Sequence, residues 1–460
     1  MSIRVRRGVS CLAGVMLLMP TVLCAHGING HVHVTAWSMA EIEEQGVLEI
    51  LNDPVAVDAL LFGAAFPDTG YAVDGREYGE RVHWEPFVER FIRYMRDTYP
   101  PPYNDPETRR KIAFLLGVGC HGLQDEIFDT LFLDQVHKHD GAGQDEVDTG
   151  TDSFLVVDGR IEYKPAAYAP IDDLLVVFDD LGVSANRETI ELGIARVKGV
   201  VIDNFDALAR QFNDMLRPDL MWTAEHYLDP SIPGSLTSEI GPSAAYIEAL
   251  WRRLHGEPPV GARVSYSYPS VDGRSRSTEP GVDAWVTLVF GTGAVVGSLT
   301  SETVELVGPD GGRVDVEVDH SRWTNDPDSV TRLLVLKPTT ELIYDSDYLI
   351  RLKPGVAYVD GTALMDPWQL AFKTPCRDPD GPGCAPVLEM GQDAGISLDA
   401  AASFDMAGNA LDGGLPPSNA QRGSSGNGCN VSAHHTQESW PIDFLTLAAF
   451  CVLLRRKFVR

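Results

Sequence analysis

The 460-residue chain is poor in cysteine and in basic residues, and both shortages restrict what it can do. It has seven cysteines and no Cys-x-x-Cys pair, which argues against a zinc site built from thiolates. Its 37 Lys and Arg residues are outnumbered by 66 Asp and Glu residues, for a formal net charge of −29. A chain this acidic repels nucleic acid and anionic lipid except where bound cations intervene. If the protein acts on phosphates, we therefore expect bound metal ions to supply the positive charge.

The sequence also lacks an apolar run as long as the ~20 residues that span a bilayer, although shorter runs lie near both ends. Residues 1–25 combine three arginines with an apolar run and end in Cys24-Ala25, a pattern typical of a secretory signal peptide. Residues 437–460 contain the second apolar run, followed by basic residues, and resemble the sorting tails named after myxobacteria. We expect a secreted protein that the cell-envelope sorting machinery attaches to the cell surface through this tail.

Two regions of different periodicity lie between these ends. In residues 26–257 apolar residues recur every three or four positions, which predicts helices at residues 80–99, 107–137, 188–216 and 243–255. In residues 258–375 the period changes to two, which predicts seven short strands and an antiparallel sandwich that resembles a bacterial Ig-like domain. The expected fold class is thus a multidomain chain, with an all-α domain followed by an all-β Ig-like sandwich.

Residues 376–436 are rich in Gly, Ser, Asp, Asn and Pro and predict a flexible stalk, because they hold too few large apolar residues to bury a core. Cys376 and Cys384 lie in a turn-rich part of this segment. They either form a disulfide in the exported protein or stay free, since spacing alone does not decide connectivity.

Histidines and carboxylates alternate along the helical region. On a helix, residues four positions apart lie on one face, so His121, Asp125 and Asp129 would form one stripe of potential ligands. Asp148 and Asp152 repeat the same spacing. Imidazole and carboxylate are the usual zinc ligands where thiolates are absent. Each element taken alone also fits a surface hydrogen bond, a turn or a buried structural histidine, and we expect His33 to be a structural or solvated residue rather than a ligand.

The order of these elements resembles the zinc-dependent phospholipase C superfamily, which includes the N-terminal domain of glycosylphosphatidylinositol-specific phospholipase D and trinuclear zinc nucleases. The resemblance rests on Gly-x-x-Gly-His, Phe-Pro-Asp, His-Trp, His-x-x-x-Asp and Asp-x-Gly-x-Asp, in that order. It implies an all-helical domain with three zinc ions in one cleft. The metal ligands that it implies here are His26, His31, Asp68, His83, His121, Asp125, Asp129, Asp148 and Asp152.

Within this implied set, His26 would bind through the α-amine that signal cleavage frees, together with His31. Asp125 would bridge that ion to a second one held by Asp68, His83 and His121. The third ion would be held by Asp129, Asp148 and Asp152, whose oxygen ligands suit Ca²⁺, Mg²⁺ or Mn²⁺ better than zinc. Either this site takes a different metal, or His137 or His139 replaces one of the aspartates.

The resemblance implies a hydrolase of the phospholipase C type, which cleaves phospholipid head groups at a membrane surface with metal-activated water. Asp68 is the candidate catalytic residue, since it would orient or deprotonate the water as well as bind metal. One alternative is a trinuclear zinc nuclease on the same fold. The missing basic stripe argues against it, and no stable nucleic-acid partner is expected. A second alternative is a non-catalytic surface protein for adhesion or binding.

Overall fold

The computed structural model describes residues 27–257, 262–268, 285–320 and 329–374, which all lie in the first of two units of the chain, Met1–Glu389. The expectations for the signal peptide, for His26, for the stalk with its two cysteines and for the C-terminal tail lie outside these residues. In the described part, no helix has the length and apolar character needed to span a membrane.

The first part of the described chain is helical, as predicted. The helices are α1 (Ile28–Ser38), α2 (Gln45–Leu51), α3 (Pro54–Ala65), α4 (Arg76–Val82), α5 (Glu85–Thr98), α6 (Pro106–Ile127), α7 (Leu133–His139), α8 (Gln144–Val157), α9 (Ile171–Asp180), α10 (Arg187–Arg196), α11 (Asp206–Leu216), α12 (Met221–His226) and α13 (Ile240–Leu254). Two π-helical segments, Phe128–Phe132 and Val197–Ile202, interrupt or extend them.

Two of the predicted helices are broken by a turn in the structure. The predicted helix at residues 80–99 is divided between α4 and α5, because Pro86 stands in the first turn of a new helix that begins at Glu85. The predicted helix at residues 188–216 is divided between α10 and α11 by the second π-helical segment and a turn. The first of these breaks places His83 and Trp84 at a helix junction.

Helix α6 is the central element of the helical region and begins at a well-defined cap. The side chain of Asp105 accepts a hydrogen bond from the Thr108 backbone N–H at 2.8 Å, and Pro106 follows the cap directly. Helix α3 packs closely along α6 at Gly117, where a Cβ atom would overlap the backbone carbonyl of Leu60. Because this glycine has no side chain, the two helix backbones approach closely. This approach sets the distance between α3 and the side chain of His121, which lies one turn further along α6.

The second part of the described chain forms two antiparallel sheets, which confirms the expected all-β region. One sheet has the order β1-β2-β6-β5 and the other β4-β3-β7-β8. The strands are β1 (Val264–Tyr268), β2 (Val286–Val295), β3 (Val304–Val307), β4 (Arg313–Val314), β5 (Val316–His320), β6 (Val330–Pro338), β7 (Asp347–Leu352) and β8 (Trp368–Lys373). Apolar side chains of both sheets meet in one core, as in a sandwich. Its relationship to Ig-like domains stays a prediction.

One predicted strand, at residues 313–318, serves both sheets. Val314 lies opposite Leu306 in one sheet, whereas Val316 lies opposite Pro338 in the other. The chain therefore crosses between the sheets at Asp315. Periodicity alone does not detect this, because the alternation continues across the crossing.

The first sheet and the helices share an apolar core. Tyr266, Val289, Leu333 and Val335 from this sheet are buried in the same cluster as side chains from α5, α6 and α13. The sandwich is therefore packed directly against the helix that carries the candidate ligands.

Candidate metal centre

Three histidines and two aspartates from four elements converge in the interior of the helical region. His31 lies on α1, Asp68 in the turn after α3, His83 at the end of α4, and His121 and Asp125 on α6. All five side chains are buried. The structure thus brings together five of the nine residues that the sequence singled out.

The Nε2 atoms of the three histidines surround the Asp125 carboxylate. Asp125 Oδ1 lies 3.1 Å from His31, and Oδ2 lies 3.3 Å from His121. His83 approaches Asp125 Oδ2 at 3.5 Å and Asp68 Oδ1 at 3.6 Å, which is too long for a good hydrogen bond. These five side chains offer two overlapping triads of ligand atoms that lie within 4.8 Å of one another. One triad is His31, Asp68 and His121, and the other is His83, His121 and Asp125.

Each histidine is anchored through its other ring nitrogen. Nδ1 of His31 lies 2.9 Å from Gln124 Oε1, Nδ1 of His83 lies 2.6 Å from the Gly79 carbonyl, and Nδ1 of His121 lies 2.6 Å from the Ala64 carbonyl. These oxygens accept, so Nδ1–H must donate in all three rings. In the neutral rings this tautomer leaves the Nε2 lone pair free to bind a metal ion, an arrangement usual for metal-ligating histidines. The donor set and its outer partners therefore fit a zinc-type site.

The charges of the centre depend strongly on one another. Burial disfavours the charged form of Asp125, but the adjacent His121 and His31 outweigh it and hold the pKa of this carboxyl well below its usual range. Burial also opposes protonation of His83, yet Asp68 and Asp125 raise its pKa to about 9. Burial and the nearby His31 lower the pKa of His121. At neutral pH a protonated His83 therefore offsets part of the negative charge of these carboxylates, and a metal ion bound at its Nε2 would displace that proton.

The expected third site is only partly assembled. Asp148 is buried, and neither of its carboxylate oxygens has a hydrogen-bond partner in the described part of the chain. Burial, followed by the charges of Asp129 and Asp125, raises the pKa of Asp148 well above its usual value. Asp129 lies in the π-helical segment after α6 and accepts a hydrogen bond from Gln144 Nε2 at 3.3 Å. A buried carboxylate held among other carboxylates is stable as an anion only next to a cation.

Asp152 has a different set of partners. It accepts hydrogen bonds from the backbone N–H groups of Asn29 and Gly30, at 3.1 Å and 2.9 Å, and from the Asn29 side chain at 3.1 Å. These contacts join α8 to the first turn of α1, which also carries His31. Burial raises the pKa of Asp152 to about 6, although the hydrogen bonds from Asn29 and Gly30 oppose that rise. A Cβ atom at Gly27 would overlap the same carboxylate, so the residue after His26 lies directly against Asp152.

The other histidines weighed from the sequence lie outside the buried cluster. His137 and His139 have exposed side chains, and His139 stacks on Trp222 with ring centroids 4.8 Å apart. His33 is structural, as expected. Its Nδ1 donates to the Asn29 carbonyl, its Nε2 accepts from the Glu162 backbone N–H, and burial lowers its pKa to about 4.

The sequence reasoning missed two buried residues of this centre. Glu239, the residue before α13, is fully buried, and burial together with Asp125 and Asp129 raises its pKa well above its usual value. No spacing signal marks it, because it stands far from the other acids in a stretch of small and turn-forming residues. Gln124 supports His31, and its place beside Asp125 on α6 was the only available signal.

Residues 31–141, which include all five clustered residues, match the family described as "Zinc dependent phospholipase C". Over these residues, the expected resemblance to the zinc-dependent phospholipase C superfamily is confirmed. Phosphatidylinositol-glycan-specific phospholipase D of Rattus norvegicus is 31% identical to the chain over 144 residues, or 27% of this chain and 16% of that protein. The Homo sapiens protein of the same name is 28% identical over 140 residues, again 27% of this chain and 16% of the relative.

The protein of the same name from Dictyostelium discoideum is 42% identical over 64 residues, which are 14% of this chain and 7% of that protein. The chain therefore spans no more than about a sixth of the length of these curated relatives. Among solved structures, that of an S-layer protein aligns with 63% of this chain and 45% of its own, at 10% identity and a TM-score of 0.19.

Proposed function

We propose that this chain is a metal-dependent phosphodiester hydrolase of the phospholipase C type. The observation that carries the proposal is the convergence of three Nδ1-anchored histidines on two buried aspartates. Without a cation, these carboxylates would be costly to bury so close together. The similarity to proteins named as phospholipases supports the same class of reaction.

Bound zinc ions would lower the pKa of water towards neutrality and stabilise the attacking and leaving oxygens of an in-line displacement. Asp125 lies between His31 and His121 and would hold metal together with them. Asp68 lies at the edge of the same cluster, 3.6 Å from His83 and 4.0 Å from His121, and would orient the water and accept its proton. The water oxygen would bond to phosphorus as one of its protons passes to Asp68, and the bond between phosphorus and the diacylglycerol oxygen would break. That oxygen would take up a proton from solvent, to which Asp68 returns the one it accepted.

A third ion, of zinc or of Ca²⁺, Mg²⁺ or Mn²⁺, is part of this proposal. Asp148 and Asp129 would hold it, and the buried Asp148 carboxylate without a hydrogen-bond partner in the described part supports a cation at this place. Asp152 would complete the ligands of this ion, whereas His26 would join His31 at the first ion.

Phospholipid is the proposed substrate because of the charge of the chain. A net charge of −29 repels a long polyanion such as nucleic acid, whereas a zwitterionic head group brings one phosphate and a compensating cation. A secreted protein displayed at the cell surface, as the two end segments predict, would meet such lipids at a membrane surface. This location is a proposal from the sequence.

The test is metal analysis of the full chain, secreted and confirmed to start at His26, next to an assay on phosphatidylcholine vesicles. We expect about three bound ions, as the family resemblance implies, and release of phosphocholine that stops on chelation and returns with zinc. His121→Ala should abolish turnover, whereas His255→Ala, at the end of α13, should not. Release of choline would point to phospholipase D chemistry, and cleavage of DNA alone to a nuclease. Bound metal without turnover on either substrate would leave a binding protein, and absence of metal would refute the proposal.

A further inference from the structure

Arg332 belongs to a strand of the sandwich, but its side chain is buried against the helical region. It stands on β6, yet its side chain is 0% exposed and pairs with Glu126 of α6, which is also 0% exposed. Glu126 directly follows Asp125, the aspartate at the middle of the candidate centre. An arginine is buried this completely only where nearly all of its donors are satisfied.

The guanidinium of Arg332 binds three parts of the centre's framework. Its Nε and Nη2 donate to Glu126 Oε1 at 3.0 Å and 2.9 Å. Nη2 also donates to the backbone carbonyl of His83 at 2.8 Å, and Nη1 to that of Gly119 at 3.3 Å. The backbone N–H of Arg332 donates to the other oxygen of Glu126 at 2.7 Å. One side chain thus joins the α4–α5 junction, which carries His83, to the helix that carries His121 and Asp125.

Gly122, the residue after His121, allows the His83 backbone and the Arg332 side chain to approach α6 this closely. A Cβ atom at Gly122 would overlap the His83 carbonyl oxygen and lie 2.6 Å and 2.8 Å from Nη2 and Nη1 of Arg332. Because Gly122 has no side chain, the His83 backbone, α6 and the guanidinium meet at one point. The carbonyl of His83 lies at the end of α4, where a helix leaves backbone acceptors unpaired, and Arg332 supplies the donor.

We propose that Arg332 is a positioning residue of the metal centre, so that the sandwich helps to hold that centre in place. By holding the His83 carbonyl against α6, Arg332 keeps Nε2 of His83 within reach of Asp68 and Asp125. The role matches that of outer partners at known metal sites, which orient the ligands without touching the ion. The inference rests on the proposed function, since it presumes that His83 binds metal.

The test removes the guanidinium without leaving a buried charge. Arg332→Met combined with Glu126→Gln leaves no unpaired ion, and the glutamine oxygen can still accept from the backbone N–H of residue 332. The matched control is Arg351→Met, which breaks the 2.5 Å pair between Arg351 and Glu305 in the other sheet. The full chain is stripped of metal and titrated with Co²⁺ and then with Zn²⁺, and the Co²⁺ absorption spectrum reports ligand geometry.

We expect the double variant to bind Co²⁺ and Zn²⁺ about 10–100-fold more weakly than wild type, as for other outer partners, with an altered Co²⁺ spectrum. The control should keep both the affinity and the spectrum. If the double variant does not fold, the same titration is made on Arg332→Lys. Lysine keeps the charge beside Glu126 but cannot reach Glu126, His83 and Gly119 together, so this variant should also bind the metals more weakly.

Folded variants with wild-type affinity and spectrum would overturn the inference and leave the proposed function intact. A wild-type protein that binds no Co²⁺ would overturn the proposed function and this inference with it.

Discussion

Replacing Gly122 by alanine tests whether the close approach of α6 and the His83 backbone is required. In a helix, Gly→Ala ordinarily stabilises by about 0.5–1 kcal/mol, because glycine loses more conformational entropy on folding. Here the new methyl group would overlap a backbone carbonyl and lie 2.6 Å from Arg332 Nη2. A backbone oxygen cannot move aside as the end of a flexible side chain can, so the clash must displace a helix or the α4–α5 junction.

Overpacking of a well-packed interior costs about 1–3 kcal/mol. The lost hydrogen bond from Arg332 to His83 adds about 1 kcal/mol, so after the helix-propensity gain we expect a net loss of about 2 kcal/mol in the free energy of unfolding. Urea denaturation of the metal-stripped protein measures it. Gly199→Ala is the matched control, because a Cβ atom there would meet no atom within 4 Å apart from its chain neighbours and its own helix backbone, and it should not destabilise. A Gly122→Ala protein at least as stable as wild type would refute the reasoning.

Four further predictions concern the centre and its framework. His121→Ala should weaken zinc binding more than 100-fold, beyond the ~10–100-fold that loss of an outer partner costs, and unchanged affinity in a competition titration would contradict its role as a ligand. Gln124→Leu removes the acceptor of His31 Nδ1–H and should weaken zinc binding about 10–100-fold, and a wild-type zinc affinity would show that the anchor is dispensable. Asp148→Asn should lower the metal content by one ion while the others stay bound, and elemental analysis that finds all ions retained would remove Asp148 from the ligand set. Asn186→Ala removes the side-chain cap of α10, whose Oδ1 lies 2.9 Å from the backbone nitrogen of Thr189. It should lower the free energy of unfolding in urea by about 1 kcal/mol without changing the metal content, and loss of metal would show that this cap is coupled to the centre.

Much of the fold was predictable because its signals are local. Apolar spacing identified α6 and α13, and period-two alternation identified most of the strands. The predicted helix and strand bounds were wrong where a single position changed the structure without changing the spacing of apolar residues. Pro86 starts α5 inside a continuous apolar pattern, and the crossing at Asp315 moves a strand from one sheet to the other without breaking the alternation.

Part of the candidate centre was predictable for a similar reason. His121 and Asp125 are one helical turn apart, so their meeting at 3.3 Å follows from helix geometry alone. The resemblance supplied His31, Asp68 and His83, which periodicity does not connect to α6. Neither route indicated Glu239, because no motif surrounds it and its place beside Asp125 and Asp129 depends on how α13 packs.

The sequence by itself determined most of the elements, the placing of the candidate ligands His121 and Asp125 on one face of α6, and a net charge that would require cations at any phosphate site. Tertiary structure alone decided which distant residues meet. His31 and Gln124 are 93 residues apart, and Glu126 and Arg332 are 206 residues apart. Such contacts depend on the packing of whole helices and sheets, because no local dihedral preference or spacing rule relates residues so far apart in the chain. For this reason the sequence predicted a sandwich but gave no sign that one of its arginines holds the helix that carries the candidate metal ligands.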